Sequence, residues 1–81
     1  MLTGKRFQIQ RPTLSVAMEE GKRQAVTIPA GSIIKVVEGP RELDDDHGMI
    51  DVLLNGRILT MFAVDVDVRG TEILDDKTAK V

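Results

Sequence analysis

The residues best suited to metal or acid–base chemistry are His47 and the three aspartates before it, Asp44, Asp45 and Asp46. An imidazole beside carboxylates can hold a divalent cation or act as a general base. A calcium loop needs oxygen ligands spaced along the chain with a glycine at the turn, and consecutive aspartates do not supply that spacing. The sequence therefore predicts a solvated acidic loop that holds no metal ion.

Three further carboxylates belong to Asp65, Asp67 and Glu72. Two carboxylates held close together can perform acid–base catalysis. The alternation Val-Asp-Val-Asp-Val instead favours the solvated side of a strand or turn. The chain has no cysteine, which excludes disulfides and thiolate metal sites.

Nucleophilic and phosphate-binding motifs are also missing from the sequence. A catalytic triad needs a serine oriented by a histidine, and His47 is expected in a loop distant from both serines, Ser15 and Ser32. Gly31 and Gly39 do not precede a Gly-Lys-Ser/Thr sequence, so they predict turns and not a P-loop. We therefore expect no enzyme activity, no catalytic or metal-binding residues and no cofactor.

Basic residues form the remaining candidate site, because five of them could converge on one side of the folded chain: Lys5, Arg6, Arg11, Lys22 and Arg23. Such a surface would suit nucleic acid or an anionic protein. The whole chain, however, has 11 basic and 13 acidic residues and only two aromatic residues. Nucleic-acid-binding domains are usually basic, and single-strand binders stack bases on exposed rings. Nucleic acid is therefore the alternative partner, and scattered solvating charges are the simpler interpretation.

The elements that must position these residues are short strands, since β-branched and aliphatic residues alternate with polar ones between Gly and Pro breaks. The segment Val64–Arg69 could be a strand or a single 3-10 turn, and we find no helix of convincing length. The predicted strands are Lys5–Gln10, Leu14–Met18, Arg23–Ile28, Ser32–Glu38, Met49–Leu54, Arg57–Ala63 and, as a last short strand, Thr71–Leu74.

Asn55-Gly56 predicts a hairpin with a fixed register, because a type I′ turn needs positive φ at both central residues. That register puts apolar residues on both faces of the hairpin. We assign one face to the core, whose predicted members are Ile34, Val36, Val52, Met61, Ala63 and Val66. The other face needs a cover, which either the chain's own Leu2 or Ile73-Leu74 or a partner protein would supply. This candidate interface consists of Met49, Leu53, Ile58 and Phe62.

The stretch IPAGSIIKVVEG (Ile28–Gly39) resembles the diverging turn and following strand of SH3 domains. MIDVLLNGRILTMFAVDVDVRGTEI (Met49–Ile73) resembles their distal hairpin, 3-10 turn and closing strand, and residues 14–28 would correspond to the RT loop. The chain is also similar to small uncharacterised bacterial proteins of this size. It lacks the ALYDY-like motif, the hairpin Trp and the Pro-x-x-Tyr segment of polyproline-binding SH3 domains. The resemblance therefore implies the fold and not that ligand.

Together these observations predict an all-β fold, a small SH3-like barrel of five to six antiparallel strands. Residues 1–74 are expected to form a single domain, followed by a polar, frayed tail over 75–81. We find no secretory signal or membrane span, so a cytoplasmic location and no membrane partner are expected. The expected function is a non-enzymatic protein-interaction or scaffold domain, acting with a protein partner or as a homo-oligomer.

Overall fold

The computed structural model describes residues 3–39 and 48–74. The acidic loop with Asp44–His47, Leu2 and the predicted tail 75–81 lie outside the described residues. In this part of the chain, seven strands and one short helix follow one another: β1 (Arg6–Ile9), β2 (Thr13–Glu19), β3 (Lys22–Ile28), β4 (Ile33–Glu38), β5 (Met49–Leu54), β6 (Arg57–Phe62), α1 (Ala63–Arg69) and β7 (Gly70–Ile73).

All seven strands belong to one antiparallel sheet with the order β3-β2-β6-β5-β4-β1-β7. The predicted all-β class is confirmed. Two details of the predicted small barrel differ: the described residues form seven strands instead of five to six, and the sheet does not close within them, since β3 and β7 are its two edges. The number exceeds five to six because all seven segments that alternate in the sequence join this one sheet, including both arms of the β2–β3 hairpin, and β2 extends the sheet beyond β6.

Two tight turns fix the register of the two long hairpins. Asn55 and Gly56 both have positive φ, 50° and 84°, and Glu20 and Gly21 have φ of 54° and 79°. The β5–β6 pairing follows the prediction, with Leu53 opposite Ile58 and the remaining pairs in step. Local turn chemistry therefore determines which side chains of this hairpin share a face.

One side of the sheet carries the core. Five of the six predicted core residues, Ile34, Val36, Val52, Met61 and Val66, are buried. Ala63 is only partly buried and packs against the edge of the core. The other buried apolar residues are Phe7, Ile9, Ala17, Ile28, Ile50 and Leu59.

The segment Val64–Arg69 is neither of the predicted alternatives, because it belongs to the seven-residue α-helix α1. Its valines alternate in sequence with period two, but the helical period of about 3.6 turns only one of them inward. Val66 is buried, whereas Val64 and Val68 are exposed. The backbone N–H of Gly70 donates to the carbonyl of Val66 and ends the helix directly at the start of β7.

Strand β2 presents its larger apolar side chains away from the core. Thr13, Ser15 and Ala17 point inward and are buried, so Leu14 and Met18 point outward and are exposed. The buried hydroxyls have local acceptors: Thr13 Oγ1 donates to the Arg11 carbonyl and Ser15 Oγ donates to the Val26 carbonyl, each at 2.8 Å. The larger apolar side chains of β2 therefore form part of the opposite side of the sheet.

Candidate interaction surface

The side of the sheet opposite the core forms one continuous surface across four neighbouring strands. Directly paired residues of antiparallel strands project from the same face. The register therefore places Val16, Thr60 and Asp51 side by side across β2, β6 and β5. We define the outer face by the residues that β2, β6, β5 and β4 project from this side: Leu14, Val16, Met18, Ile58, Thr60, Phe62, Met49, Asp51, Leu53, Ile33, Lys35, Val37 and Glu38.

The outer face is rich in exposed aliphatic side chains. Ten large hydrophobic residues are exposed among the described residues, and seven of them belong to this face. Met18 is 64% exposed and Ile58 is 51% exposed. The surface of an isolated protein rarely carries so large a contiguous apolar patch unless it binds something.

The interface residues predicted from the sequence all belong to this face. Leu53, Ile58 and Phe62 are exposed, and Met49 is partly buried. Sequence reasoning missed the contribution of β2, because the hairpin register says nothing about a strand that joins β6 from a distant part of the chain. The alternation of Leu14, Val16 and Met18 was the available signal.

The chain's own C-terminal segment does not cover the patch within the described residues. Ile73 pairs with Arg6, so β7 lies beside β1 and not over the β5–β6 hairpin. Leu74 is 69% exposed. The other predicted cover, Leu2, lies outside the described residues.

The centre of the outer face is polar. Thr60 Oγ1 donates a hydrogen bond to Asp51 Oδ1 at 2.8 Å, and both residues are partly buried. Glu38 is opposite Asp51 where the β4–β5 register shifts. A partner that covers this region must leave the Thr60–Asp51 hydrogen bond intact or replace it, because a buried polar group without a partner is costly.

A shallow groove crosses the outer face between β2 and β5. It consists of two depressions of about 510 and 490 Å³ that share Val16, Met18 and Thr60. Ile58 and Arg57 line the first depression, and the Arg57 guanidinium pairs with the Glu19 carboxylate at 2.7 Å.

Besides the shared residues, Arg23 and Met49 line the second depression of the groove. Apolar walls above a polar floor make the groove suitable for a chain segment whose apolar side chains point toward it.

The five basic residues that the sequence places on one candidate surface lie in separate parts of the sheet. Lys22 and Arg23 begin the edge strand β3, whereas Arg6 belongs to β1 near the other edge. Lys5 immediately precedes β1, and Arg11 lies exposed between β1 and β2.

Lys5 and Arg6 are joined by Lys35 of β4, which sequence reasoning did not include. The three cations line a depression of about 430 Å³ together with Gly4, Glu72, Ile73 and Leu74. One carboxylate is present, since Lys5 Nζ lies 4.0 Å from Glu72 Oε1. Lys35 pairs with Arg6 on one side and with Leu53 on the other, so this basic depression adjoins the apolar outer face.

The three carboxylates considered for acid–base chemistry lie on two elements. Asp65 and Asp67 belong to α1 and Glu72 to β7. Asp65 Oδ1 lies 3.8 Å from Arg69 Nε one helical turn away. Within residues 3–39 and 48–74, no group of three His, Asp or Glu side chains is placed to hold a metal ion.

Comparisons with models of protein families, with curated protein sequences and with solved structures gave no match. No helix in the described part of the chain is long and apolar enough to cross a membrane.

Proposed function

We propose that this chain is a non-enzymatic protein-interaction domain that binds its partner through the outer face. The observation that carries the proposal is the exposed apolar surface shared by β2, β6, β5 and β4. Four strands spaced about 4.8 Å apart, each contributing about six residues at about 3.4 Å, span roughly 400 Å² in projection. The accessible area of such a side-chain surface exceeds its projected area, and a stable interface takes roughly 800 Å² from each partner.

The strand order supports an SH3-like interpretation of the fold. Strands β4, β5 and β6 are consecutive neighbours, and β1 lies between β4 and β7, so the closing strand returns to the first strand. In this proposal the β2–β3 hairpin would correspond to the RT loop, and α1 to the short helical turn before the closing strand. The proposal includes the bacterial origin that the resemblance implies and the cytoplasmic location that the sequence predicts.

A peptide-display selection on the immobilised chain tests the proposed role. The test variant is Ile58→Lys with Phe62→Ser, which places a charge and a hydroxyl on the outer face. The matched control is Val64→Lys with Val68→Ser, which makes similar changes at exposed apolar residues of α1 outside the face. We expect the wild type and the control to enrich peptides and the test variant to lose that enrichment. The Tm of all three proteins should agree within a few degrees, since exposed substitutions change stability by about 0.5 kcal/mol or less.

Sedimentation equilibrium on the same proteins shows whether the partner is a second copy. A wild-type dimer that Ile58→Lys with Phe62→Ser converts into a folded monomer would also support the interaction role. A wild type that is monomeric and enriches no peptides above the test variant would contradict it. Equal loss in the control would show that the outer face is not the binding surface.

A further inference from the structure

We propose that the outer face binds a polypeptide segment that carries acidic residues at one end and apolar residues along the rest. This inference rests on the proposed interaction role and names the chemistry of the partner. In this arrangement the partner's apolar side chains cover Leu53, Ile58 and Phe62, and its carboxylates lie at the β1–β4 end beside Arg6 and Lys35.

Charge and register together carry the inference. Arg6, Lys35 and Leu53 form one row across β1, β4 and β5, and Ile58 continues it on β6. Two cations therefore precede two exposed apolar residues at intervals of about 4.8 Å, the spacing between neighbouring strands. We call Arg6 and Lys35 the basic end of this row; Lys5 and Glu72, whose side chains lie 4.0 Å apart, line the same depression. A segment with carboxylates next to apolar side chains is complementary to this row.

A second copy of the chain is less complementary to the same face. The sheet side that carries the outer face is cationic at both lateral ends, with Arg6 and Lys35 at one end and Arg23 beside Met18 at the other. A two-fold axis in the plane of the contact places each lateral end of one copy over the same end or the opposite end of the second copy. In both cases cations of one copy face cations of the other. It also brings the central Asp51 toward its own copy. Like charges opposed across an interface disfavour association.

Nucleic acid is also less complementary than an acidic segment. Its backbone carries a regular series of negative charges. On the outer face, by contrast, the cations of the basic end lie next to aliphatic residues and to the carboxylates of Asp51 and Glu38. Among the described residues only Phe62 offers an exposed ring, because Phe7 is buried. Aliphatic side chains do not provide the stacking platforms that single strands need.

The same display selection tests the partner's charge when a further variant, Arg6→Glu with Lys35→Glu, is included as an immobilised protein. The matched control, Arg11→Glu with Lys22→Glu, makes the same change in net charge at exposed residues outside the outer face. We expect the wild type and this control to enrich Asp and Glu next to apolar residues, and Arg6→Glu with Lys35→Glu to enrich Lys and Arg there. A peptide selected on the wild type should bind the Arg6→Glu, Lys35→Glu variant about tenfold more weakly and the control equally well.

The outcomes separate this inference from the proposed role. Enrichment that Ile58→Lys with Phe62→Ser abolishes, but that shows no acidic preference, leaves the interaction role standing and overturns the acidic segment. A wild-type dimer formed through the outer face makes a second copy the occupant and likewise overturns it. Salt-dependent binding of a labelled oligonucleotide that Arg6→Glu with Lys35→Glu abolishes would assign the basic end to nucleic acid instead. A wild type that is monomeric and enriches no peptides contradicts both proposals.

Discussion

Exchanging the first residues of the two tight turns should move stability in opposite directions. Glu20 and Asn55 occupy equivalent positions, with φ of 54° and 50°, and each precedes a glycine with positive φ. The left-handed region costs an ordinary L-residue about 1–2 kcal/mol, whereas asparagine tolerates it through local hydrogen bonding. Replacing Glu20 by Asn should therefore raise the free energy of unfolding by about 1 kcal/mol.

The assay is thermal unfolding followed by circular dichroism, with urea denaturation as a second measurement. For a domain of this size, about 1 kcal/mol corresponds to a shift in Tm of about 4–8 °C. The control is Glu20→Gln, which removes the same charge but retains a long side chain at positive φ, and it should leave Tm nearly unchanged. The reciprocal change, Asn55→Gln, should lower Tm by a similar amount.

A gain in Glu20→Gln equal to that in Glu20→Asn would refute the backbone argument. It would show that the charge of Glu20, beside Glu19 at the hairpin tip, is the destabilising feature. An unchanged Tm in Asn55→Gln would contradict the same reasoning at the second turn.

The helix and its junction with β7 give two further predictions, both measured by urea denaturation. Val66→Ser should lower the free energy of unfolding by about 2–3 kcal/mol because Val66 is 1% exposed. The matched Val64→Ser should change it by less than about 0.5 kcal/mol. Equal losses in the two variants would indicate a strand here and not a helix. Gly70→Ala should cost about 1–3 kcal/mol, since an added Cβ would lie 2.8 Å from the Val66 carbonyl oxygen; a variant as stable as the wild type would show that α1 and β7 can move apart.

Features determined by local chemistry were predictable from the sequence. The β5–β6 hairpin follows from Asn55-Gly56, because a two-residue turn with positive φ fixes the register of the strands on either side. The exposed face of that hairpin followed from the same register. For this reason the sequence predicts that Leu53 and Ile58, two residues of the candidate interface, share the exposed face.

Features determined by distant parts of the chain were not predictable in the same way. The alternating valines of α1 have the period of a strand, and the helix instead depends on burying Val66 and on the hydrogen bond from the Ala63 N–H to the Gly48 carbonyl. Alternation in β2 gives the phase of Leu14 but not the side of the sheet it faces. Lys35 joins the basic residues only because β4 lies next to β1.

The neighbouring positions of β1 and β7 also set an order of events during synthesis. Arg6 pairs with Ile73, so one edge of the first strand stays without its neighbour until the last strand has left the ribosome. Bringing together chain segments separated by roughly 60 residues costs about 4 kcal/mol of chain entropy, which the completed sheet must offset. Likewise, the edge of β2 away from β3 cannot pair until β6 has been synthesised. The nascent chain can therefore form the β2–β3 and β5–β6 hairpins early, but it acquires its finished sheet only after residues 70–73 have emerged.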